Sequence, residues 1–277
     1  MSTIPVPESR SPFAALFPPN VSVKKLVMPV EHGGWGILLE PIALGLIAAP
    51  SLGGALVALA ATAAFFARQP LKIGLIDRLR GKIYPRTRTA LALAALLSVA
   101  GAAAFAAAIA TSGWIAALPV VIAGPLALVQ IAHDARNDSR KLLPELAGAV
   151  AMSGVAAAIV LADGGSLLAA SAIWAVMLGR AIPAILYIRA RVLGERRGTP
   201  FGPWPVVSHL AAVVGGGALW AAGLAPLVVP AAFALLLVRC AIGVSPLRSR
   251  VSARRIGFTE IGYGTASILA IAMGYVL

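Results

Sequence analysis

Long apolar runs alternate with short or charged connections along most of this chain. An α-helix needs about 20 residues to cross the hydrocarbon core of a bilayer, and nine runs come close to that length. They cover residues 34–50, 52–67, 89–110, 113–132, 143–162, 166–187, 205–222, 225–243 and 258–277. The pattern predicts an all-α, polytopic membrane bundle of nine transmembrane helices. Residues 1–27 are rich in Pro and Ser and predict a mobile tail, which leaves residues 28–277 as a single transmembrane domain.

Composition agrees with a membrane protein. The 277-residue chain is 60% hydrophobic and 12% charged, whereas soluble domains have about 25% charged residues. The formal net charge is +13. A soluble nucleic-acid-binding protein would also be basic but would not carry nine apolar runs, so we predict no nucleic-acid partner. The single cysteine, Cys240, excludes an internal disulfide.

The basic residues are distributed unevenly among the connections. The connections after runs one, three, five and seven contain no Lys or Arg, while the tail, the other connections and the adjoining helix ends hold all 23. Cytoplasmic loops carry the excess of Lys and Arg in membrane proteins. The sequence therefore predicts a cytoplasmic N-terminus.

Candidate proton-transfer residues lie at the start of the first run. Glu31 and His32 precede a Gly-rich segment, and Glu40 lies inside the apolar run itself. An ionisable group at membrane depth is costly and is by default a functional candidate. The alternative is an interfacial His–Trp anchor with Glu40 paired to an arginine elsewhere.

Candidate anion-binding residues follow the second run. Arg68, Gln69 and Lys72 lie where the helix is expected to leave the membrane and to break at Pro70. Arg68 and Lys72 are four residues apart, so on a helix they would share a face and could hold phosphate oxygens. A solvated loop that only sets membrane orientation is the alternative.

Two further charged segments follow runs four and six. Asp134 and Asp138 have a spacing that could hold Mg²⁺, although an ion-paired loop explains them equally simply. Arg180 is surrounded by apolar residues and requires a partner, for which Glu40, Glu145 and Glu260 are candidates. Charged residues at the cytoplasmic ends of several runs therefore predict one shared site.

Four motifs carry a resemblance to a known family. EHGGWGILLEP, FARQPLK, NDSRKLLPEL and GRAIPAILYIRAR resemble the YwiC-like family of bacterial membrane proteins, which implies a multi-pass protein of the bacterial plasma membrane. The layout is also similar to the UbiA-type intramembrane prenyltransferases, which have nine helices and a cytoplasmic N-terminus. This likeness implies a substrate-binding set that adds Asn137, Arg140, Lys141, Tyr187 and Arg189 to Arg68, Gln69, Lys72 and Arg180.

The chain departs from the UbiA-type pattern where those enzymes carry Asp-rich motifs for Mg²⁺ and a prenyl diphosphate. Arg68 to Lys72 and Arg180 to Arg191 are basic instead, so the motifs support no metal site and identify no cofactor. We predict a cytoplasm-facing cavity that binds an isoprenoid or other lipid with an anionic head, with prenyl transfer left open. A transporter with a Glu40–Arg180 gate and a non-catalytic partner of a respiratory complex are the alternatives.

Overall fold

The computed structural model of the chain describes residues 18, 20–29, 34–198, 201–246 and 248–277. In this part of the chain every regular element is a helix, which confirms the all-α prediction. The helices are α1 (Val23–Val27), α2 (Gly34–Ala48), α3 (Leu52–Leu79), α4 (Pro85–Ser112), α5 (Leu118–Ala135), α6 (Leu142–Ala162), α7 (Leu167–Arg197), α8 (Trp204–Ala221), α9 (Val228–Val244) and α10 (Ala253–Val276), with a 3₁₀ turn over Trp114–Ala117.

The long helices match the predicted apolar runs in number and order. Seven of them are long and apolar enough to cross a membrane, while α2 and α9 are apolar helices of 15 and 17 residues. The chain is therefore a multi-pass helical membrane protein. Helix α1 falls within the segment predicted to be a tail, and its Leu26 is buried against Ala90 and Leu93 of α4.

Helix α6 forms the centre of the bundle. About 72% of its apolar stretch is buried, and α2, α3, α5 and α7 all pack against it. Two glycines allow α2 and α3 to approach α6 closely: a Cβ on Gly45 of α2 or Gly54 of α3 would come within 2.9 Å of the Ile159 side chain. These contacts fix α2 and α3 on one side of α6.

The end of α3 differs from the prediction. Pro70 lies inside the helix, which continues to Leu79 instead of breaking. Tertiary packing explains the continuation: Ile73 packs against the cluster around Leu26, and Gly74 lies so close to Leu91 of α4 that a Cβ would come within 2.4 Å of it. Packing on a neighbouring helix outweighs the hydrogen bond lost at one proline.

One end of the bundle collects the basic connections. The described residues of four connections, 80–84, 136–141, 198 with 201–203, and 245–246 with 248–252, lie on this side, which we call the basic end. The connections at the opposite end, residues 49–51, 113, 163–166 and 222–227, contain no Lys or Arg. The predicted separation of charge along the chain thus corresponds to the two ends of one bundle.

Candidate functional site

Four charged side chains from four helices meet inside the bundle. Arg180 of α7 lies 3.0 Å from Glu40 Oε1 of α2 through Nη2 and 3.0 Å from Glu260 Oε1 of α10 through Nη1. Arg239 of α9 donates from Nη1 to Glu260 Oε2. We call Glu40, Arg180, Arg239 and Glu260 the buried tetrad; its formal charges sum to zero.

The tetrad is well removed from water. The side chain of Arg180 is 3% exposed, and those of Glu40 and Arg239 are 11% exposed. Glu40 and Glu260 lie roughly two turns from the starts of their helices at the basic end. Such charges are expensive at membrane depth unless each has a partner, and here each carboxylate faces a guanidinium.

Glycine 264 makes room for the Glu40–Arg180 pair. A Cβ at this position of α10 would lie 2.1 Å from Glu40 Oε1 and 2.2 Å from Arg180 Nη2. The absence of a side chain therefore lets the ion pair rest directly on the backbone of α10. No signal in the sequence distinguishes this glycine from its neighbours Gly257 and Gly262.

Aromatic side chains surround Arg239. Its Cζ lies 4.2 Å from the ring centroid of Tyr187 and 4.9 Å from that of Tyr263, both within cation–π range. Tyr187 in turn contacts His209 of α8 edge to face, with 6.3 Å between ring centroids. His209 is buried, and its Nδ1 lies 2.7 Å from the carbonyl oxygen of Pro205, to which it donates.

A second group of charges joins α3 to the end of α5. Arg68 holds Asp134 through two hydrogen bonds, Nε to Oδ2 at 2.7 Å and Nη2 to Oδ1 at 3.0 Å. Lys72 donates to Ser139 in the connection that follows α5. Arg68 and Lys72 share a face of α3 as predicted. Both side chains bind other residues of the protein, and these contacts hold residues 136–141 against α3.

A surface cleft lies at the basic end, beside the contacts of Arg68 and Lys72 with residues 134–139. It has a volume of about 200 Å³ and is lined by Ile73, Ile76, Asp77, Arg80, Arg86 and Asn137. We call it the α3–α4 cleft. Arg86 holds Asp77 at 3.2 and 3.3 Å, and the buried hydroxyl of Thr87 donates to the same carboxylate at 2.7 Å. The internal pair neutralises Asp77 and leaves Arg80 as the surplus charge of the lining.

The remaining predicted residues, in the connection 136–141 and in α7, form contacts outside the buried tetrad and the cleft. Arg189 lies 2.8 Å from Glu145 and donates to the carbonyl oxygen of Arg140 at 2.9 Å. Lys141 donates to Asp138 at 2.7 Å, and this hydrogen bond lowers the pKa of the Asp138 carboxyl below its ordinary value. Asp134 and Asp138 thus face different cations, so the carboxylate pair considered for Mg²⁺ is not assembled.

The structure divides the predicted site into two groups. Glu40, Arg180 and the ring of Tyr187 belong to the buried tetrad and its surroundings, while Arg68, Lys72 and Asn137 lie at or beside the α3–α4 cleft. Gln69 is half-buried in α3, next to Arg68 in sequence. Glu31 and His32 lie outside the described residues.

The first two motifs do approach each other in space. Trp35 at the start of α2 lies 6.5 Å from Phe65 and 6.0 Å from Phe66 of α3, measured between ring centroids. These phenylalanines are one turn before Arg68. Trp35 of the first motif therefore packs beside Phe66, the first residue of the second motif.

Several charged members of the two groups were not among the predicted site residues, among them Arg80, Arg86, Arg239 and Glu260. For Arg239 and Glu260 a signal existed, because each interrupts a run of apolar residues as Glu40 and Arg180 do. For Arg80 and Arg86 the sequence shows only a basic segment, and the cleft arises from how α3, α4 and residues 136–141 come together.

Fold and charge pattern define a multi-pass helical membrane protein with ionic contacts concentrated toward one end. A family model described as YwiC-like protein matches residues 28–160, from just after α1 nearly to the end of α6. This match confirms the resemblance carried by the first three motifs, which lie within it, and over these residues the chain is similar to the YwiC-like family. No curated protein and no solved structure matches the chain at a significant level.

Proposed function

We propose that this protein of the bacterial plasma membrane binds a lipid with a phosphate or diphosphate head in the α3–α4 cleft, from the cytoplasmic side. The observation that carries the proposal is the lining of the cleft. Arg80, Arg86 and Asn137 place donors around a space of about 200 Å³, and the only carboxylate among its lining residues is already held by Arg86 and Thr87.

Charge favours an anion in this cleft. Among the ion pairs of the described residues Arg80 takes part in none, so its guanidinium is available to a ligand. Guanidinium groups bind phosphate oxygens through paired hydrogen bonds. Arg78, Lys82 and Arg88 stand nearby in sequence and are exposed, which adds to the positive potential at the mouth.

The apolar side of the cleft favours a lipid over a free phosphate. Ile73 and Ile76 form part of the lining, and the exposed side chains of Leu79 and Ile83 continue an apolar surface at the basic end. An isoprenoid or acyl chain could leave the cleft along this surface, while its head remains among the arginines.

Arg68 and Lys72 support the cleft indirectly in this proposal. Their contacts with Asp134 and Ser139 fix the ends of the segment that contains Asn137. Asn137 has a positive φ of 60°, a conformation that Asn tolerates better than most residues. We therefore assign Arg68 and Lys72 as positioning residues and Arg80, Arg86 and Asn137 as ligand contacts.

An Arg80→Gln variant tests the proposal. We expect its affinity for farnesyl diphosphate to fall about tenfold, because one hydrogen bond to a charged group contributes about 1.5 kcal/mol. Arg78→Gln removes an equally exposed charge two residues away that does not line the cleft, so its affinity should remain near that of the wild type. Binding is measured on the purified full-length protein by native mass spectrometry, with farnesol as the neutral probe.

Equal affinity of the Arg80→Gln and Arg78→Gln variants would reject the cleft as the site. Equal affinity of the wild type for farnesol and farnesyl diphosphate would reject the phosphate head as the recognised group.

The cytoplasmic position of the basic end gives a separate prediction. Cys240 is buried, so an introduced cysteine at an exposed position can be labelled selectively. In intact cells, Lys82→Cys at the basic end should be protected from a membrane-impermeant maleimide, and Asp163→Cys at the opposite end should react. After the membrane is opened, both should react; the reverse pattern in intact cells would invert the assigned orientation.

A further inference from the structure

We infer that Arg239 is a second receptor for an oxyanion, reached from the membrane side of α9 and α10 and distinct from the α3–α4 cleft. The inference does not depend on the proposed function. Its ligand class is an amphiphile with a carboxylate or phosphate group on an apolar chain.

The guanidinium of Arg239 is fixed in place on several sides. Its Nη1 donates to Glu260, and its Cζ lies within 5 Å of the ring centroids of Tyr187 and Tyr263. Tyr187 itself is seated against Gly243, where a Cβ would come within 2.3 Å of the phenol oxygen. The orientation of Arg239 is therefore established before any ligand arrives, which lowers the entropic cost of binding.

One edge of this guanidinium points to no acceptor. Nε and Nη2 of Arg239 are both buried, and neither has a hydrogen-bond partner among the described residues. Nε of Arg180, whose side chain is 3% exposed, is also buried without a hydrogen-bond partner among the described residues. A buried donor without an acceptor is costly, and more so when it is charged.

The chain itself shows what this edge can bind. Arg68 holds Asp134 and Arg86 holds Asp77 through the same two nitrogens, Nε and Nη2. These nitrogens donate in parallel to the two oxygens of one carboxylate, and a phosphate offers the same spacing. Arg239 presents this edge without a protein carboxylate to occupy it, so an oxyanion from outside is the matching partner.

Tyr263 is the element that a ligand must pass. Its side chain contacts Arg239 on one side and is 40% exposed on the surface of α10. On α9 the neighbouring Val238 and Ile242 are 56% and 51% exposed. An apolar chain lying against this surface would bring its head to the ring of Tyr263, and a side-chain rotation would open the way to Arg239.

The test uses the full-length protein with dodecanoate and dodecyl phosphate as probes and dodecanol as their neutral match. Dodecanoate and dodecyl phosphate should each bind at least tenfold more weakly to Arg239→Lys, which keeps the positive charge beside Glu260 but lacks the two-pronged edge. All proteins in this test carry Arg80→Gln, so that the α3–α4 cleft is weakened in each of them, and adding Arg78→Gln, which lines neither site, should leave the binding of both probes unchanged. Bound probe is counted by native mass spectrometry.

Three results of this titration would overturn the inference. They are equal binding with and without Arg239→Lys, equal binding of dodecanol and the two anions, and a loss of binding on Arg78→Gln as large as the loss on Arg239→Lys. The last result would assign the loss to overall positive charge instead of the Arg239 edge, and it would leave the proposed function standing.

A second variant guards against misfolding of Arg239→Lys. Tyr263→Ala removes a partly exposed ring that covers Arg239, and we expect dodecanoate to associate several-fold faster in stopped-flow measurements. Tyr263→Phe keeps the ring and serves as the matched control with an unchanged rate. An association rate in Tyr263→Ala equal to that of Tyr263→Phe would contradict entry past this side chain.

Discussion

Replacing Arg180 by Ala should lower the free energy of unfolding by about 3–5 kcal/mol, the cost of stranding a buried charge that has lost its partner. The effect is large because one guanidinium serves both Glu40 and Glu260 at 3.0 Å. Its side chain is 3% exposed, so water cannot readily take its place. Thermal unfolding of the purified protein in a mild detergent measures the change.

Arg189→Ala is the control for this prediction. Arg189 lies on the same helix and pairs with Glu145, but the two side chains are 31% and 35% exposed. The variant should lose only about 0–1 kcal/mol, as exposed ion pairs do. Adding Glu40→Gln to Arg180→Ala should restore part of the loss, since one stranded carboxylate disappears. Equal destabilisation by Arg180→Ala and Arg189→Ala would mean that the tetrad contributes no more than a surface pair.

Adding a single methyl group at position 264 should have an effect nearly as large. In Gly264→Ala the new Cβ would lie 2.1 Å from Glu40 Oε1 and 2.2 Å from Arg180 Nη2, which forces the ion pair apart or pushes α10 outward. We expect a loss of about 3 kcal/mol, the upper range for overpacking. The measurement is again thermal unfolding.

Gly262→Ala and Gly257→Ala provide matched controls on the same helix. At both positions a Cβ meets nothing within 4 Å. Alanine stabilises a helix interior relative to glycine by up to about 1 kcal/mol, so these variants should be neutral or slightly more stable. The prediction fails if all three substitutions change stability alike.

The helices could be predicted from the sequence because each carries its own signal. Every long helix of the described chain coincides with an apolar run, and the ends at the uncharged side agree within a few residues. The ends at the basic side were placed too early for α3 and α7, which continue to Leu79 and Arg197. There the residues turn polar while packing on neighbouring helices still maintains the helix, and a hydropathy pattern does not record that packing.

The tetrad shows how far reasoning about single residues extends. Arg180 inside an apolar run required a carboxylate, and two of its three candidates, Glu40 and Glu260, are its partners. The third, Glu145, pairs with Arg189 instead. The choice depends on how far each helix is shifted along its axis relative to the next, which the order of residues within one helix does not specify.

The structure gives Arg68 and Lys72 partners within the protein that the anion-binding prediction did not name. Both were expected to face a ligand, whereas they hold Asp134 and Ser139 across about 66 residues of chain. An acid in a distant loop can neutralise a basic pair, and no local spacing reveals it. Arg80, which directly follows the last residue of α3, was identified as a cleft residue only from the shape of the surface.

The YwiC-like match and the tetrad overlap only in part. The match ends at residue 160, so Glu40 lies within it, while Arg180, Arg239 and Glu260 lie beyond it. The parts of the α3–α4 cleft that α3 and α4 form also lie within the matched residues. Functional tests of the cleft therefore address the matched region, and tests of Arg239 address the remainder of the chain.

The two short helices have a consequence for the surrounding lipid. Helix α9, with 17 residues, and the described part of α2, with 15 residues, span only about 26 and 22 Å at 1.5 Å per residue. Both contribute a charge to the tetrad. A bilayer accommodates such hydrophobic mismatch by thinning locally. Lipid headgroups and water should therefore lie closer to Glu40 and Arg239 than the average bilayer thickness implies. Reconstitution in lipids with longer acyl chains should therefore strain the molecule first on this flank.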